Sequence, residues 1–395
     1  MLFLGCLFDR EDEELILNLS KGGLQNAVNT FEWNLIDGIN SCKSKPIDII
    51  NVLPVGTYPK HFQKLILPTR KWSYNGSDNT EVGCINLPFI KQIIRTNKIK
   101  NIIKEYNDKN IIMYSTYLPF LKAVKSLDSS YNVTLIVTDL PEFYDLASTN
   151  PVKKMLRAIY NKMVYKYLER IDSYVLLTEY MKDPLCVGEK PYVVVEGITN
   201  STYDIPDINK KNDKKVILYT GTLHYRFGIK YLLDAFSEIS DKDYELWICG
   251  SGETENEIRL LCEKDDRIRF FGYKSKSEVL SMQQQATILI NPRQDKGEYT
   301  KYSFPSKTIE YMQSGTPVLM YKLSGIPDKY DDYLYYIDPD LDVLGLKNRI
   351  VELCEIPQDE LMLFGLKAKE FVEKNMSGQT QAKKILEMIS GEYDF

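Results

Sequence analysis

Histidine is nearly absent from this chain, with two residues in 395, His61 and His224. Metal sites built on imidazole are therefore not expected, and the seven cysteines (6, 42, 84, 186, 249, 262, 354) do not fill the gap, being scattered with no CxxC. Isolated thiols in odd number read as reduced core residues, not as a disulfide framework. Also lacking is any stretch near the roughly 18 apolar residues needed to cross a bilayer. The opening "MLFLGCLFDREDEEL" has no basic leader and turns acidic at once, so it reads as a first buried strand and predicts a cytoplasmic protein. A net charge of -5 argues against wholesale nucleic-acid binding. What is present is a globular composition, 44% apolar and 27% charged, in a length that suits two domains and a cleft.

Short Val/Ile-rich runs alternate with helix-like segments from the start: "MLFLGCLF", "IDIINVLP", "NIIMYST", "VTLIVTDLP", "SYVLLT" and "YVVVEGI". Apolar strands separated by amphipathic helices are what a parallel sheet covered on both faces requires. The pattern stops at the polar, charged "TNSTYDIPDINKKNDKK" (199–215), which reads as a linker, and then restarts with "VILYTGT", "YELWICGSG", "IRFFGY", "ATILINPR", "PVLMYK" and "YLYYI". Two successive alternations predict two doubly wound α/β domains, 1–198 and 199–375, with ligand sites at the carboxyl ends of their strands. A last helix, in 376–395, is expected to pack back on the first domain.

Three loops of the second half follow strands and carry small or charged residues. In "YTGTLHYRFGIKYLLDAF", Gly221 and Thr222 follow a strand and Gly228 opens a helix, so backbone N–H groups could face an anion, with Arg226 adding donors. Such turns are also simply tight turns. His224, in the same loop, could touch phosphate or sugar, or only solvent. In "CGSGETENEI" three acids open the helix, which favours capping over phosphate. In "FFGYKSKSEV", Gly272 ends a strand, Ser275 or Ser277 can cap the next helix, and the backbone at Gly272 and Tyr273 could meet a base edge.

The densest signal is "YSFPSKTIEYMQSGTPVL", Tyr302 to Leu319. Pro305 suits a first helical turn, Lys307 can reach anionic oxygens, and the acceptor-only carboxylate of Glu310 can take two hydrogen bonds from a ribose diol. The competing reading gives Glu310 to the helix dipole and Lys307 to solvent. Gly315, Thr316 and Pro317 form a helix stop.

These stretches, in this order and spacing over most of 215–340, resemble the nucleotide-sugar glycosyltransferases of family 4, which have the GT-B fold. The first half is similar more loosely, through "SKGGLQNAVNTFEWNLIDGI". The resemblance implies that Glu310 holds the donor ribose, that Gly221, Thr222 and the basic residues after them contact the diphosphate, and that backbone near Gly272 meets the base. Gly22, Gly23, His224, Tyr273, Tyr302, Ser303, Phe304 and Ser306 complete the expected donor-binding set, with Asp139, Arg226 and Lys307 as the expected catalytic residues. It implies retention of configuration, with a nucleotide diphosphate sugar, UDP as first choice, as co-substrate and no separate cofactor. Two departures stand out. Tyr302 occupies the place of the first Glu in the family's Glu-x7-Glu pattern, and Phe227 precedes Gly228 where Lys is common.

On the acceptor side, "IVTDLPEF" puts Asp139 at a strand end, where it could orient a hydroxyl or act as base in an inverting transferase, or serve as a loop carboxylate. "DPDLD" (338–342) contains an Asp-x-Asp but reads better as a helix cap, and no metal is expected. Between residues 60 and 170 eighteen Lys and Arg face nine Asp and Glu. Two basic, apolar segments there, near 90–106 and 151–170, would suit an anionic membrane surface and a lipid-linked glycan acceptor, or else are packed helices with solvated lysines. The overall expectation is a glycosyltransferase of bacterial surface polysaccharide assembly working at the inner face of the membrane. A nucleotide-sugar-binding subunit without activity is the alternative from another class.

Overall fold

A computed structural model describes residues 1–21, 26–143, 151–199 and 211–391. The chain divides into two compact units, Met1–Asn200 with Ser377–Phe395, and Ser201–Met376. The expected linker lies largely outside the described residues.

The first unit contains strands β1 (Leu2–Gly5), β2 (Asp48–Asn51), β3 (Ile66–Leu67), β4 (Arg70–Trp72), β5 (Asn79–Glu81), β6 (Cys84–Ile85), β7 (Asn110–Tyr114), β8 (Asn132–Val137), β9 (Ser173–Leu176) and β10 (Tyr192–Val194). Its helices are α1 (Glu13–Leu19), α2 (Asn26–Cys42), α3 (Ile90–Ile103), α4 (Leu118–Lys125), α5 (Pro151–Leu168) and, from the end of the chain, α12 (Gly378–Ser390). Eight strands form one sheet in the order β10-β9-β8-β7-β1-β2-β5-β4, parallel except for β4 against β5. The β1, β7, β8 and β9 runs are almost wholly buried, which is why they read as continuous apolar stretches instead of alternating ones. From β1 the chain builds outward to one side through β2 and then returns to build the other side through β7. The order therefore reverses between β1 and β7, and the loops after these strands part there.

The second unit has β11 (Lys215–Thr220), β12 (Tyr244–Cys249), β13 (Ile268–Gly272), β14 (Ile288–Asn291), β15 (Val318–Tyr321) and β16 (Tyr335–Ile337). They alternate with α6 (Ile229–Ser237), α7 (Glu255–Cys262), α8 (Lys276–Gln285) and α9 (Ser306–Ser314), followed by α10 (Val343–Cys354) and α11 (Gln358–Asn375). The all-parallel order β13-β12-β11-β14-β15-β16 reverses between β11 and β14. Backbone contact is close at the strand ends: Gly221 N donates to Cys249 O (3.0 Å) and Gly250 N to Gly272 O (2.8 Å). A Cβ at Gly250, whose φ is 140°, would overlap the Gly221 carbonyl oxygen, so a glycine is required there. Asp342 caps α10 by accepting from Gly345 N (3.0 Å), the capping role expected for this Asp-x-Asp segment.

Candidate functional site

Within the second unit the predicted residues of the β11 loop and of the start of α9 flank the reversal between β11 and β14, whereas Gly272 and Tyr273 follow β13, two strands from β11. Gly221 and Thr222 leave β11, and Tyr219 Oη donates to Thr222 O (2.8 Å), fixing the loop. A short 3₁₀ turn, Tyr225–Phe227, follows and is capped by His224, whose Nδ1 accepts from Arg226 N (3.2 Å). His224 Nδ1 also lies 3.3 Å from Glu253 Oε1, so a carboxylate already borders this histidine. Gly228 ends the turn at φ 80° and starts α6; a Cβ there would overlap the Pro292 carbonyl oxygen, bringing the β11 and β14 loops into backbone contact.

Arg226 is exposed and lies over the Phe227 ring at 4.7 Å. From the β14 side Arg293 approaches the same ring at 5.9 Å and the Tyr299 ring at 5.2 Å, while its Nη2 donates to Ser303 Oγ (2.9 Å). Burial, and more weakly the neighbouring Arg226 charge, push the Arg293 guanidinium below its usual range. Its Nε is buried with no partner in the structure. Two guanidiniums thus share one aromatic ring at adjacent strand ends, an arrangement suited to an anion with several oxygens. Arg293 was missed in the sequence, where it closes the apolar run "ILINPR"; its place directly after a strand was the available signal.

Helix α9 completes the cluster. Its N-terminus begins after Pro305 with no side-chain cap and no acid in its first turn, leaving a positive helix end open to an anion. Lys307 Nζ donates to both carboxylate oxygens of Glu310 (2.9 Å each), and Gln283 Nε2 donates to Glu310 Oε1 (3.0 Å). The two residues expected to hold phosphate and ribose are therefore neighbours held to each other, both partly exposed. Ser306 is exposed at the helix start, whereas Phe304 is buried against Tyr330 with ring centroids 5.1 Å apart, so only its backbone is available. Tyr302 Oη donates to Glu298 Oε1 (3.3 Å) one turn away. At the end of β13, Gly272 has φ 66° with open space where a Cβ would stand, and Tyr273 is 76% exposed. The acids of the β12 loop are already engaged: Glu255 accepts from Gly252 N (3.0 Å) in the loop itself, and Glu253 from Tyr225 N (3.2 Å) of the β11 loop. Ser275 and Glu278 form a reciprocal capping box on α8.

Residues 201–371 match the family model described as glycosyl transferases group 1. Over its full length the chain superposes on sucrose-phosphate synthase from Thermosynechococcus elongatus with a TM-score of 0.69 at 15% identity, covering 99% of this chain and 98% of that one. The fold is GT-B. An Anabaena protein, Alr3699/HepE in complex with UDP and glucose, superposes with a TM-score of 0.60 at 12% identity over 98% of both chains. By sequence the chain is 22% identical over 210 residues to WcaL of Escherichia coli K12, a glycosyltransferase assigned to colanic acid biosynthesis, covering 52% of each. The alignment thus spans about half the length of that relative.

The first unit has its own cavity of about 200 Å³ at the reversal between β1 and β7. Asp139 lines it together with Thr138, next to Cys6, Ser115, Lys91 and Arg95. Gly22 and Gly23 lie outside the described residues. In helix α3 Arg95 is buried and Lys98 Nζ donates to Thr69 Oγ1 (2.9 Å) and Gly83 O (3.1 Å), while Phe89, Ile90 and Ile93 at its start are exposed. Helix α5 exposes Val152, Met155, Leu156 and Ile159 beside exposed Lys153 and Lys154. Among the described residues no helix is long and apolar enough to cross a membrane.

Proposed function

We propose that this protein is a glycosyltransferase that moves a hexosyl group from a nucleotide diphosphate sugar, UDP as the nucleotide, to a hydroxyl of a glycan acceptor. The observation that carries this reading is the convergence of Arg226, Arg293, Lys307 and the uncapped start of α9 beside Glu310, at the strand-order reversal of the second unit. On donor binding the ribose hydroxyls replace Lys307 as donors to Glu310, and the freed ammonium turns to the diphosphate. Backbone at Gly272 and Tyr273 meets the base. In the transfer the bond from the anomeric carbon to the diphosphate oxygen breaks, and the leaving diphosphate keeps the electron pair. The guanidiniums and helix end stabilise that charge as it develops. The acceptor oxygen bonds to the anomeric carbon on the face the diphosphate leaves, and its proton passes to a diphosphate oxygen, giving retention.

The acceptor is read as a lipid-linked intermediate of surface polysaccharide, engaged at a membrane by the exposed apolar and basic first turns of α5. A second reading, inversion with Asp139 as general base, is favoured by the placement of Asp139 on the cavity of the first unit; the anomeric configuration of the product separates the two. The donor reading is tested by thermal shift and calorimetry with UDP, other nucleoside diphosphates and their sugars. UDP at one hundred times its Kd should add about 2.7 kcal/mol of stability by mass action, and Glu310→Ala should remove most of that gain. The reading fails if no nucleoside diphosphate raises the melting temperature and Glu310→Ala changes no binding.

A further inference from the structure

Glu310 is held from two sides by donors of different kinds. Lys307 lies one turn earlier on the same helix, reaches both carboxylate oxygens at 2.9 Å, and has a side chain 37% exposed. Gln283 comes from the last turn of α8, is 1% exposed, and donates from Nε2 to Oε1 alone (3.0 Å). The first contact is a solvent-facing ion pair within one helix, which holds a flexible side chain only weakly. The second is a hydrogen bond from a buried neutral amide to a charged acceptor, and such bonds are roughly twice as strong as those between neutral groups. Lys307 is the partner that can leave, and Gln283 the one that stays.

The backbone of Gln283 is tied down as well as its side chain. Its carbonyl accepts from Thr316 Oγ1 (2.8 Å), which is fully buried two residues beyond the end of α9. The same hydroxyl accepts from Lys211 Nζ (3.1 Å), which also donates to Ala286 O (2.6 Å) at the C-cap of α8. A cation at the carboxyl end of a helix is favourable, so Lys211 steadies the turn that carries Gln283. Hydrogen bonds therefore run from Lys211 through Thr316 and Gln283 to Glu310, fixing the end of α8 to both the middle and the end of α9.

A carboxylate turns easily about its last torsion, whose preference is broad, and it offers about four lone-pair positions. With Gln283 on Oε1 the plane of the group is set, and acceptor positions on both oxygens remain for hydroxyls once Lys307 has left. A cation in place of Gln283 would neutralise the carboxylate permanently, whereas an amide orients it and leaves its charge. We propose that Gln283 is a positioning residue for ribose recognition: by fixing the Glu310 carboxylate it presents both oxygens to the 2′- and 3′-hydroxyls of the donor, and so sets the preference of the site for a nucleotide that carries them. This role rests on the assignment of Glu310 to the ribose proposed above.

Calorimetric titration of the full chain with UDP and with 2′,3′-dideoxy-UDP tests this role, since the ratio of the two dissociation constants isolates the ribose hydroxyls. The wild type should favour UDP by at least about tenfold, the loss expected when hydrogen bonds to a charged group are removed. Glu310→Ala should bring the ratio close to one. Gln283→Met, which keeps the size of the side chain and removes its donor, should lower the ratio several-fold while the affinity for the dideoxy nucleotide is unchanged. Gln283→Asn, which withdraws the amide by one methylene group, should do the same and decides the matter where the Met variant does not fold. Failure of UDP to bind, or equal wild-type binding of both nucleotides, overturns this role together with the assignment of Glu310 to the ribose. A ratio that collapses in Glu310→Ala but holds in the Gln283 variants overturns the role of Gln283 and leaves the donor reading standing. An equal fall in affinity for both nucleotides in those variants would mark Gln283 as structural only, and overturns the role as well.

Discussion

At Glu32 the chain buries a carboxyl group completely and partners only one of its oxygens. Oε2 accepts from Cys6 N (2.9 Å), while Oε1 has no partner. Burial raises the pKa of this carboxyl well above its ordinary 4.5, outweighing the backbone hydrogen bond that lowers it. A carboxyl whose pKa is raised in the folded state contributes its stability below the unfolded value and loses it as pH rises toward the folded value. Glu32→Gln keeps an acceptor for Cys6 N and removes the titration. The variant should match the wild type near pH 4 and gain on it by about 1.4 kcal/mol per pH unit above that, until the folded pKa is passed. Urea unfolding of both proteins across pH 4–8 reads the difference directly, since other titrations cancel. A difference independent of pH would mean that Glu32 is not held protonated.

At the scale of elements, β11 and α9 are locked through a single side chain. Tyr311, fully buried on α9, has its hydroxyl accepting from Thr220 N (2.8 Å) and donating to Thr220 O (3.0 Å), at the last residue of β11. The next residues are Gly221 and Thr222, so the hydroxyl sets the start of the loop after β11, proposed to meet the donor, relative to the helix carrying Glu310. Tyr311→Phe should cost about 1–3 kcal/mol, because it leaves a buried N–H unsatisfied, and should weaken UDP binding several-fold. A lowered urea midpoint with unchanged slope is the expected signature, and unchanged UDP affinity would show that the loop is held by other contacts. Sequence patterns revealed the long strands of both sheets because those strands are buried on both faces and read as uninterrupted apolar runs. They did not reveal β4, "RKW", which pairs at the sheet edge with two of its three residues exposed and so carries no apolar signal. The same limit governed the sites. Lys307 and Glu310 share one helix turn and could be read as a pair, whereas Arg293 joins them only through the sheet order. In α3 the basic residues were legible, but which way they pointed was not; Arg95 occupying the stripe of Ile99 and Ile103 was the clue that it faced inward.

On the scale of the whole chain, the first unit is closed by the end of the sequence. Ser377 pairs with Thr199 in an isolated bridge, Gly378 N donates to Thr199 O (2.8 Å), and α12 then runs along α2. A Cβ at Gly38 would overlap the Gly378 carbonyl oxygen, so the two helices meet at backbone distance. Ala382, Ile385 and Met388 enter the same core as Leu35, Ile36 and Ile39. A chain ending at Met376 would uncover that face, losing roughly 1.5–3 kcal/mol for each large side chain no longer buried, a substantial share of the 5–15 kcal/mol typical of a domain. Arg226, Arg293, Lys307 and Glu310, proposed to bind the donor, all lie in Ser201–Met376, so the loss should fall on the other unit. Calorimetry of the truncated chain should show the first unit melting many degrees lower or already unfolded. UDP should still bind and still raise the transition of the second unit. If UDP binding disappears along with the first unit's transition, the donor site depends on more of the chain than the second unit, and the assignment of that site to Arg226, Arg293, Lys307 and Glu310 alone is incomplete.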